Sequence, residues 1–295
     1  MTDVQSKARP GSDIEVDHQT VTTPYVSSAE DRQFFADNGY IKLRQVIDPA
    51  QLEHFGPLIT QQVIALNTQD VPLAERDTYG KAFLQIENLW RHDEAVSRFV
   101  HSPDLARLAA ELLGVRAVRL YHDQALYKEP SGGITPWHAD QYYWPLTTDR
   151  CCTVWIPLQD TGPQMGPLTF YAGSHTFSEG RDMPISDHSE RRIAELMTEQ
   201  GFARDDSPYA LGDISFHQGW TFHGAGANQG DEPRRVMTII YMDAEMVVKE
   251  PTNDNQVADL EHWLEGSRPG DVVGGPLNPL LYAAPDASRG DAPDE

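Results

Sequence analysis

The sequence predicts a mainly β fold with flanking helices, an antiparallel sandwich or small barrel, and three observations carry that expectation. Short runs rich in β-branched and aromatic residues, at 118–126, 151–158 (CCTVWIPL), 166–171, 213–216 and 235–243 (RVMTIIYMD), are separated by turns containing Gly and Pro. Helical periodicity is concentrated ahead of these runs, so helices pack outside the strands instead of alternating with them. Regular intervening helices and a glycine-rich dinucleotide loop are both missing, which excludes a doubly wound parallel sheet.

Taken in order, residues 1–24 are polar, contain Pro10, Gly11 and Pro24, and are expected to form a flexible arm. Ser27 or Ser28 caps a first helix with Glu30 and Asp31 in its first turn, where carboxylates suit the helix dipole. Phe34 and Phe35 are its expected buried stripe, and Asn38-Gly39 ends it. Residues 40–46 alternate as a strand. Asp48-Pro49 opens a second helix through Leu52, Phe55, Leu58, Ile59 and Val63, with a break expected at Gly56-Pro57. Residues 79–89 read as a strand or a substrate-side segment. Ser102-Pro103 opens a helix closed by Gly114, and 115–128 holds two short β-like runs. A helix at about 188–200 interrupts the strands as an insertion near 185–205. Beyond residue 250 the chain is acidic and proline-rich, except for a helical piece at LEHWLEG and a GGPLNPLLY stretch expected to pack back onto the body. The expected organisation is one domain over 25–282, with 283–295 a disordered acidic tail.

Bulk properties narrow the function. At 295 residues, with a formal charge of -22, the chain lacks the clustered basic surface that nucleic acid requires. No run approaches the length of a membrane span, and the N-terminus has no hydrophobic signal region. The only cysteines, Cys151 and Cys152, are adjacent, a poor geometry for a disulfide. They read as ordinary strand residues, and the expected compartment is the cytoplasm.

The chemistry centres on GGITPWHADQYYW, residues 132–144. Side chains on an extended strand recur with period two, so His138 and Asp140 share one side. A distant histidine would complete the facial triad of a non-haem iron site. Chance alone supplies one such pair in a chain this rich in acids, and locally a buried histidine bonded to a carboxylate is the competing reading. The second half supplies His223, followed by small GAG residues that permit close approach, and Arg234 eleven residues further on. An arginine at the lip of an apolar strand needs a partner, and a carboxylate matches its fork. An internal salt bridge and an exposed edge remain open for Arg234, and Arg235 competes with opposite parity. Together these residues suggest an iron centre with a dicarboxylate cosubstrate.

Several elements in consistent order resemble the phytanoyl-CoA dioxygenase family of iron(II)- and 2-oxoglutarate-dependent oxygenases. They are Trp137–Asp140, the GPLTFYAGSH segment at 166–175 (with Ala172 where the family has proline), the GD…HG segment from Gly212 to Gly224, and Arg234. The opening FFADNGYIKLRQVIDPAQL adds to the likeness, which spans about residues 28–245. The resemblance implies a double-stranded β-helix (jelly-roll, cupin-like) core and the cofactor set of Fe(II), 2-oxoglutarate and O2. It implies iron ligands His138, Asp140 and His223, with Arg234 on the distal carboxylate of 2-oxoglutarate and Lys128 nearby. Where the family often has a serine two residues past the distal histidine, this chain has Ala225, so that contact is expected to be absent or to be replaced by Thr153 or Tyr127. Asp140 argues for hydroxylation over halogenation, because halogenating relatives carry a small residue there.

Gln85, Gln141, Tyr143, Trp144, Trp155 and Trp220 are the expected substrate pocket, with Tyr142 and Phe222 beside them. His175 and His217 are assigned supporting roles. The implied reaction is oxidation, foremost hydroxylation, of an unactivated C–H bond in a small or medium organic molecule such as a specialised metabolite, with release of succinate and CO2. Desaturation, epimerisation and ring formation are alternatives within that chemistry, and a non-oxygenase metal-binding jelly roll is the alternative outside it. Monomer and homodimer are both left open.

Overall fold

The computed structural model describes residues 20–285. The expected arm lies largely outside these, but residues 20–24 are tied to the body: Val21 is fully buried, and Ser102 Oγ donates to its carbonyl. Ser28 forms the capping box of α1 (Ala29–Asn38), and Gly39 closes it at φ 75°. Only Phe35 of the expected stripe is buried; Phe34 stays exposed, with its edge against Tyr40. β1 (Tyr40–Leu43) leads to α2 (Pro49–Leu66), which runs without the expected break through Pro57. Glu53, four residues earlier, and Pro57 are both exposed, so water can satisfy the carbonyl that Pro57 frees.

The chain continues through α3 (Thr78–Ala82), β2 (Leu84–Glu87), α4 (Glu94–Val100) and α5 (Pro103–Leu113), the last capped by Ser102 and Gly114 as expected. β3 (Ala117–Tyr127) is one long strand instead of two runs. Then come β4 (Thr135–His138), β5 (Cys151–Pro157), β6 (Leu168–Tyr171), α6 (Asp187–Glu199), β7 (Arg204–Asp205), β8 (Ile214–Gln218), β9 (His223–Ala225), β10 (Val236–Asp243), α7 (Asp254–Trp263) and β11 (Leu280–Ala283).

Two antiparallel sheets form the jelly roll. The major sheet has the order β1-β8-β5-β10-β3-β11, with β2 pairing the other half of β3; the minor sheet is β4-β9-β6-β7. Strand parity divides the major sheet. Cys152, Val154 and Ile156 of β5, Ile214 and Phe216 of β8, and Met237, Ile239 and Tyr241 of β10 share one core with Phe55 of α2, Phe99 of α4 and Leu108 of α5. Each such fully buried side chain contributes roughly 1.5–3 kcal/mol by leaving water. The alternate residues Thr153, Trp155, His217, Thr238 and Ile240 face a cavity that the minor sheet also lines. β5 is therefore buried on both faces, which explains its continuous apolar run, and both cysteines are free and buried within it.

The minor sheet is backed by α6, whose Ile193, Leu196 and Met197 pack with Trp137, Tyr171 and Phe222. The 187–199 helix is thus part of the body. GGPLNPLLY returns as expected: the Asn278 amide donates to the carbonyls of Leu120, Tyr121 and Trp263, and β11 extends the major sheet. That strand carries the body past the expected boundary at 282, because Ala284 N–H bonds the Arg116 carbonyl. The rest of the expected tail, 286–295, lies outside the described residues. Among the described residues no helix is long and apolar enough to cross a membrane.

Candidate active site

His138 closes β4 and pairs in register with His223, the first residue of β9. Their rings lie 4.2 Å apart. The strand ends there, so Asp140 opens a short 3-10 turn instead of sharing the strand as expected. Because Ala139 stays extended (φ -126°, ψ 126°), Asp140 still returns to the same side. Asp140 Oδ1 is 3.5 Å from Nε2 of both His138 and His223, and the three candidate ligand atoms lie within 4.8 Å of one another. Among the described residues no other His, Cys, Asp or Glu group could hold a metal in this way.

The surrounding hydrogen bonds aim these atoms. His138 Nδ1–H donates to the Pro136 carbonyl at 2.7 Å and His223 Nδ1–H to the Thr221 carbonyl at 2.9 Å, which leaves each Nε2 lone pair facing the cluster. The other oxygen of Asp140, Oδ2, accepts from Thr153 Oγ1 at 3.1 Å and His217 Nε2 at 3.2 Å. Burial alone would raise the Asp140 pKa, but the imidazoles around it, His217 by a hydrogen bond, hold it well below the usual carboxylate range. Burial, then the neighbouring His138, pushes His223 well below the usual imidazole range, so its ring is neutral. One carboxylate and two imidazole lone pairs converging on a point form the donor set of a facial triad with open positions.

A pair of cations lies in the same region. Lys128 and Arg234 form an antiparallel bridge with reciprocal 2.9 Å backbone hydrogen bonds, and both side chains are buried. Arg234 Nη1 donates to the Gly166 carbonyl at 2.7 Å, its guanidinium lies over Trp155, and its Nε has no partner. Gly166 can serve as that anchor because φ is 67° and a Cβ there would sit 2.2 Å from the Gly226 carbonyl. Lys128 Nζ donates to the Gly133 carbonyl and to Thr135 Oγ1. Among the described residues, no carboxylate pairs with either cation. Burial lowers Arg234 to about 10, and burial plus Arg234 lowers Lys128 to about 6.

Arg235 faces the other way and bonds Gln159 Oε1 at 2.6 Å, so Arg234 is the arginine in the cavity. Tyr127 is not at the site. One residue before Lys128 on β3, it points to the helix side, where its hydroxyl meets Thr60 Oγ1 at 2.8 Å. Thr153 does line the cavity, but its hydroxyl is committed to Asp140.

The cavity measures about 220 Å³. Gln85, Tyr143, Trp144 and Trp155 line it as expected, while Gln141 and Trp220 do not. Gln141 is buried against Gly219, its backbone N–H bonding the Gly219 carbonyl. Trp220 lies in a separate open groove beneath Arg181, with Tyr142 on the same groove, and Phe222 packs on α6. Sequence reasoning missed Tyr79, Glu87, His122, Gln124, Asp259 and Trp263, all on the cavity wall.

Residues 35–236 match the family described as phytanoyl-CoA dioxygenase (PhyH). The chain belongs to this family. A probable alpha-ketoglutarate-dependent hypophosphite dioxygenase of Stutzerimonas stutzeri is 25% identical over 239 residues, covering 74% of this chain and 79% of that protein. The crystal structure of the alpha-ketoglutarate-dependent carbocyclase SnoK from nogalamycin biosynthesis superposes with a TM-score of 0.71 at 25% identity, over 88% of this chain and 98% of that one. The epimerase SnoN of the same biosynthesis gives 0.69 at 25% identity, over 85% and 96%, and has been solved with Fe3+ and alpha-ketoglutarate.

This PhyH-family protein is an iron- and 2-oxoglutarate-dependent dioxygenase that uses O2 as its second cosubstrate. The site fits those groups on its own terms. The triad offers a hard, oxygen- and nitrogen-rich donor set, and the buried Arg234 guanidinium, whose Nε has no partner among the described residues, calls for an anion.

Proposed function

We propose that the protein hydroxylates an unactivated C–H bond of a small or medium organic molecule, a specialised metabolite, in the cavity lined by His138, Asp140, His223 and Arg234. The observation that carries this reading is the pairing of a facial donor set with a buried, carboxylate-free arginine in one cavity. His138 Nε2, Asp140 Oδ1 and His223 Nε2 would hold iron, and Arg234, supported by Lys128, would hold the distal carboxylate of 2-oxoglutarate. When bound, iron and 2-oxoglutarate supply the activation of O2 that is coupled to release of succinate and CO2.

The chain's own residues do the positioning. The Pro136 and Thr221 carbonyls fix the two imidazole tautomers, and Thr153 with His217 holds Asp140 by its second oxygen. Trp144, Trp155 and Trp263 present apolar surface that excludes water from the reacting C–H bond. Asp140 occupies the position that a halogenating site would leave free. The hypophosphite chemistry of the relative is not carried over, because Glu87 and Asp259 on the wall would repel a small anionic substrate. The buried, unpaired cysteines agree with a reducing compartment, and we place the protein in the cytoplasm.

Anaerobic titration with Fe(II) and 2-oxoglutarate should produce a metal-to-ligand charge-transfer band that His223→Ala abolishes. No band in the wild type, or an unchanged band in the variant, refutes the assignment. The likeness to a carbocyclase and an epimerase supports a second reading, in which the same site closes a ring or inverts a centre. Product mass separates them: hydroxylation adds an oxygen, ring closure removes a pair of hydrogens, and epimerisation leaves the mass unchanged.

A further inference from the structure

We infer that the wall formed by β2, β3 and α7 binds a protonated amine of the substrate, held by Glu87, Asp259 and His122. The inference rests on the proposal that this cavity receives the substrate, and it adds a substrate class to that proposal.

Glu87 and Asp259 both line the cavity, and among the described residues neither forms an ion pair. Asp259 accepts one hydrogen bond, from the Tyr121 hydroxyl at 2.8 Å, and Glu87 accepts one, from Gln85 Nε2 at 3.1 Å. A carboxylate offers about four lone-pair sites, so each retains most of its accepting capacity. The basic group that acts on both is His262, which is exposed and does not line the cavity.

His122 is the independent observation. It is 5% exposed and lines the same cavity. Its Nδ1 lies 3.3 Å from the Asp123 carbonyl, which can only accept, so the proton sits on Nδ1. Among the described residues Nε2 is left as an acceptor without a donor, and burial keeps the ring neutral, at about 4. The wall therefore presents two carboxylates that each accept a single hydrogen bond and an imidazole lone pair that, among the described residues, accepts none.

An ammonium group supplies three N–H donors and one positive charge. Trp263, its ring tilted by 35° against His122 at 4.9 Å, adds an aromatic surface that attracts cations. Burial raises both carboxyls and takes Asp259 to about 7, with the Glu87 charge adding to the rise at Asp259. A bound cation relieves both penalties. A neutral hydroxyl could use the same acceptors but would relieve neither.

The test is calorimetric titration of the Fe(II)·2-oxoglutarate holoenzyme, without oxygen and at pH 8, with benzylammonium and with neutral benzyl alcohol. Wild-type protein should bind the ammonium about tenfold or more tightly than the alcohol. Glu87→Gln and Asp259→Asn should each remove most of that preference and leave the alcohol unaffected. Equal or undetectable binding of the two probes, or a preference that survives in both variants, overturns the inference. The charge-transfer band recorded on each sample keeps the outcomes apart. If the band forms without a preference, the amine site is wrong while the cofactor assignment stands; if no band forms in the wild type, the assignment itself fails.

Discussion

Replacing Arg234 by Met gives two measurements that separate a cosubstrate anchor from a structural arginine. The guanidinium is 2% exposed, has no carboxylate partner among the described residues, and leaves Nε unsatisfied. Among the described residues its desolvation is offset by the Gly166 carbonyl, the Trp155 ring and the neighbouring Tyr209, none of them a charged partner at neutral pH. Removing it should therefore leave the melting temperature of the cofactor-free protein unchanged or raise it, since an unpaired buried charge is costly. In the complex the same residue would make a buried, charge-assisted contact, and truncating one side of such a pair costs about 2–5 kcal/mol, or roughly 30- to 5,000-fold in Kd. A ligand at a hundred times its Kd stabilises by about 2.7 kcal/mol. For a chain of this size that is a rise of about 4–5 °C. Thermal denaturation with Mn(II) and graded 2-oxoglutarate should show the rise in wild type and its loss in Arg234→Met. Arg235→Met is the control: Arg235 bonds Gln159 on the outer side, so the rise should persist. If Arg234→Met retains wild-type affinity, or Arg235→Met loses it, the anchor is misassigned. A large fall in melting temperature without cofactor would make Arg234 a structural residue.

Three further outcomes follow from the same geometry. His217→Phe removes the 3.2 Å bond to Asp140 Oδ2 without touching a proposed ligand, so iron affinity should fall about 10- to 100-fold while the fold persists; unchanged metal affinity by equilibrium dialysis would show that Asp140 needs no such support. Gly166→Ala forces a Cβ to within 2.2 Å of the Gly226 carbonyl at positive φ, and chemical denaturation should show a loss of at least about 1–3 kcal/mol together with weaker 2-oxoglutarate binding; a neutral effect would mean that this loop relaxes freely. Asp259 is raised from 3.8 to about 7, mainly by burial, so its favourable contribution is present below about 4 and is lost as pH rises through about 7. Asp259→Asn keeps an acceptor for Tyr121 and does not titrate, so its advantage over wild type should grow between pH 4 and 8 to the order of 1–3 kcal/mol; a pH-independent difference would show that Asp259 is not strained.

Much of the donor set was legible because it is carried by local sequence. The pairing of β4 and β9 puts His138 opposite His223, and one extended residue brings Asp140 back to their side. The choice between Arg234 and Arg235 was not local. Which of the two faces the cavity depends on the bridge to Lys128, which fixes the parity of both strands at once. The same parity explains the error at Tyr127, since neighbouring residues on a strand cannot both face one cavity. Gln141 and Trp220 were misplaced for a different reason: closeness in sequence to the ligands stood in for closeness in space. The turn after β4 and the turn after β8 carry those two side chains away from the cavity.

The missed wall had a weaker signal, and its position changes how the cavity should be understood. Glu87 and Asp259 do not stand out in a chain with 45 acidic residues. On β3, however, His122, Gln124, Leu126 and Lys128 recur at period two on a strand whose other face joins the apolar core. Polar residues repeated on the covered face of a sheet mark a lined space. Along that face the chemistry reverses. His122 and Gln124 stand beside Glu87 and Asp259, whereas Lys128, about 13 Å beyond Gln124 along the chain, stands beside Arg234. On our reading, an anionic cosubstrate is repelled from the acceptor wall and drawn to the Arg234 guanidinium, while a cationic substrate experiences the opposite field. The sign of charge alone then assigns each molecule to its end of the cavity, before any shape-specific contact forms.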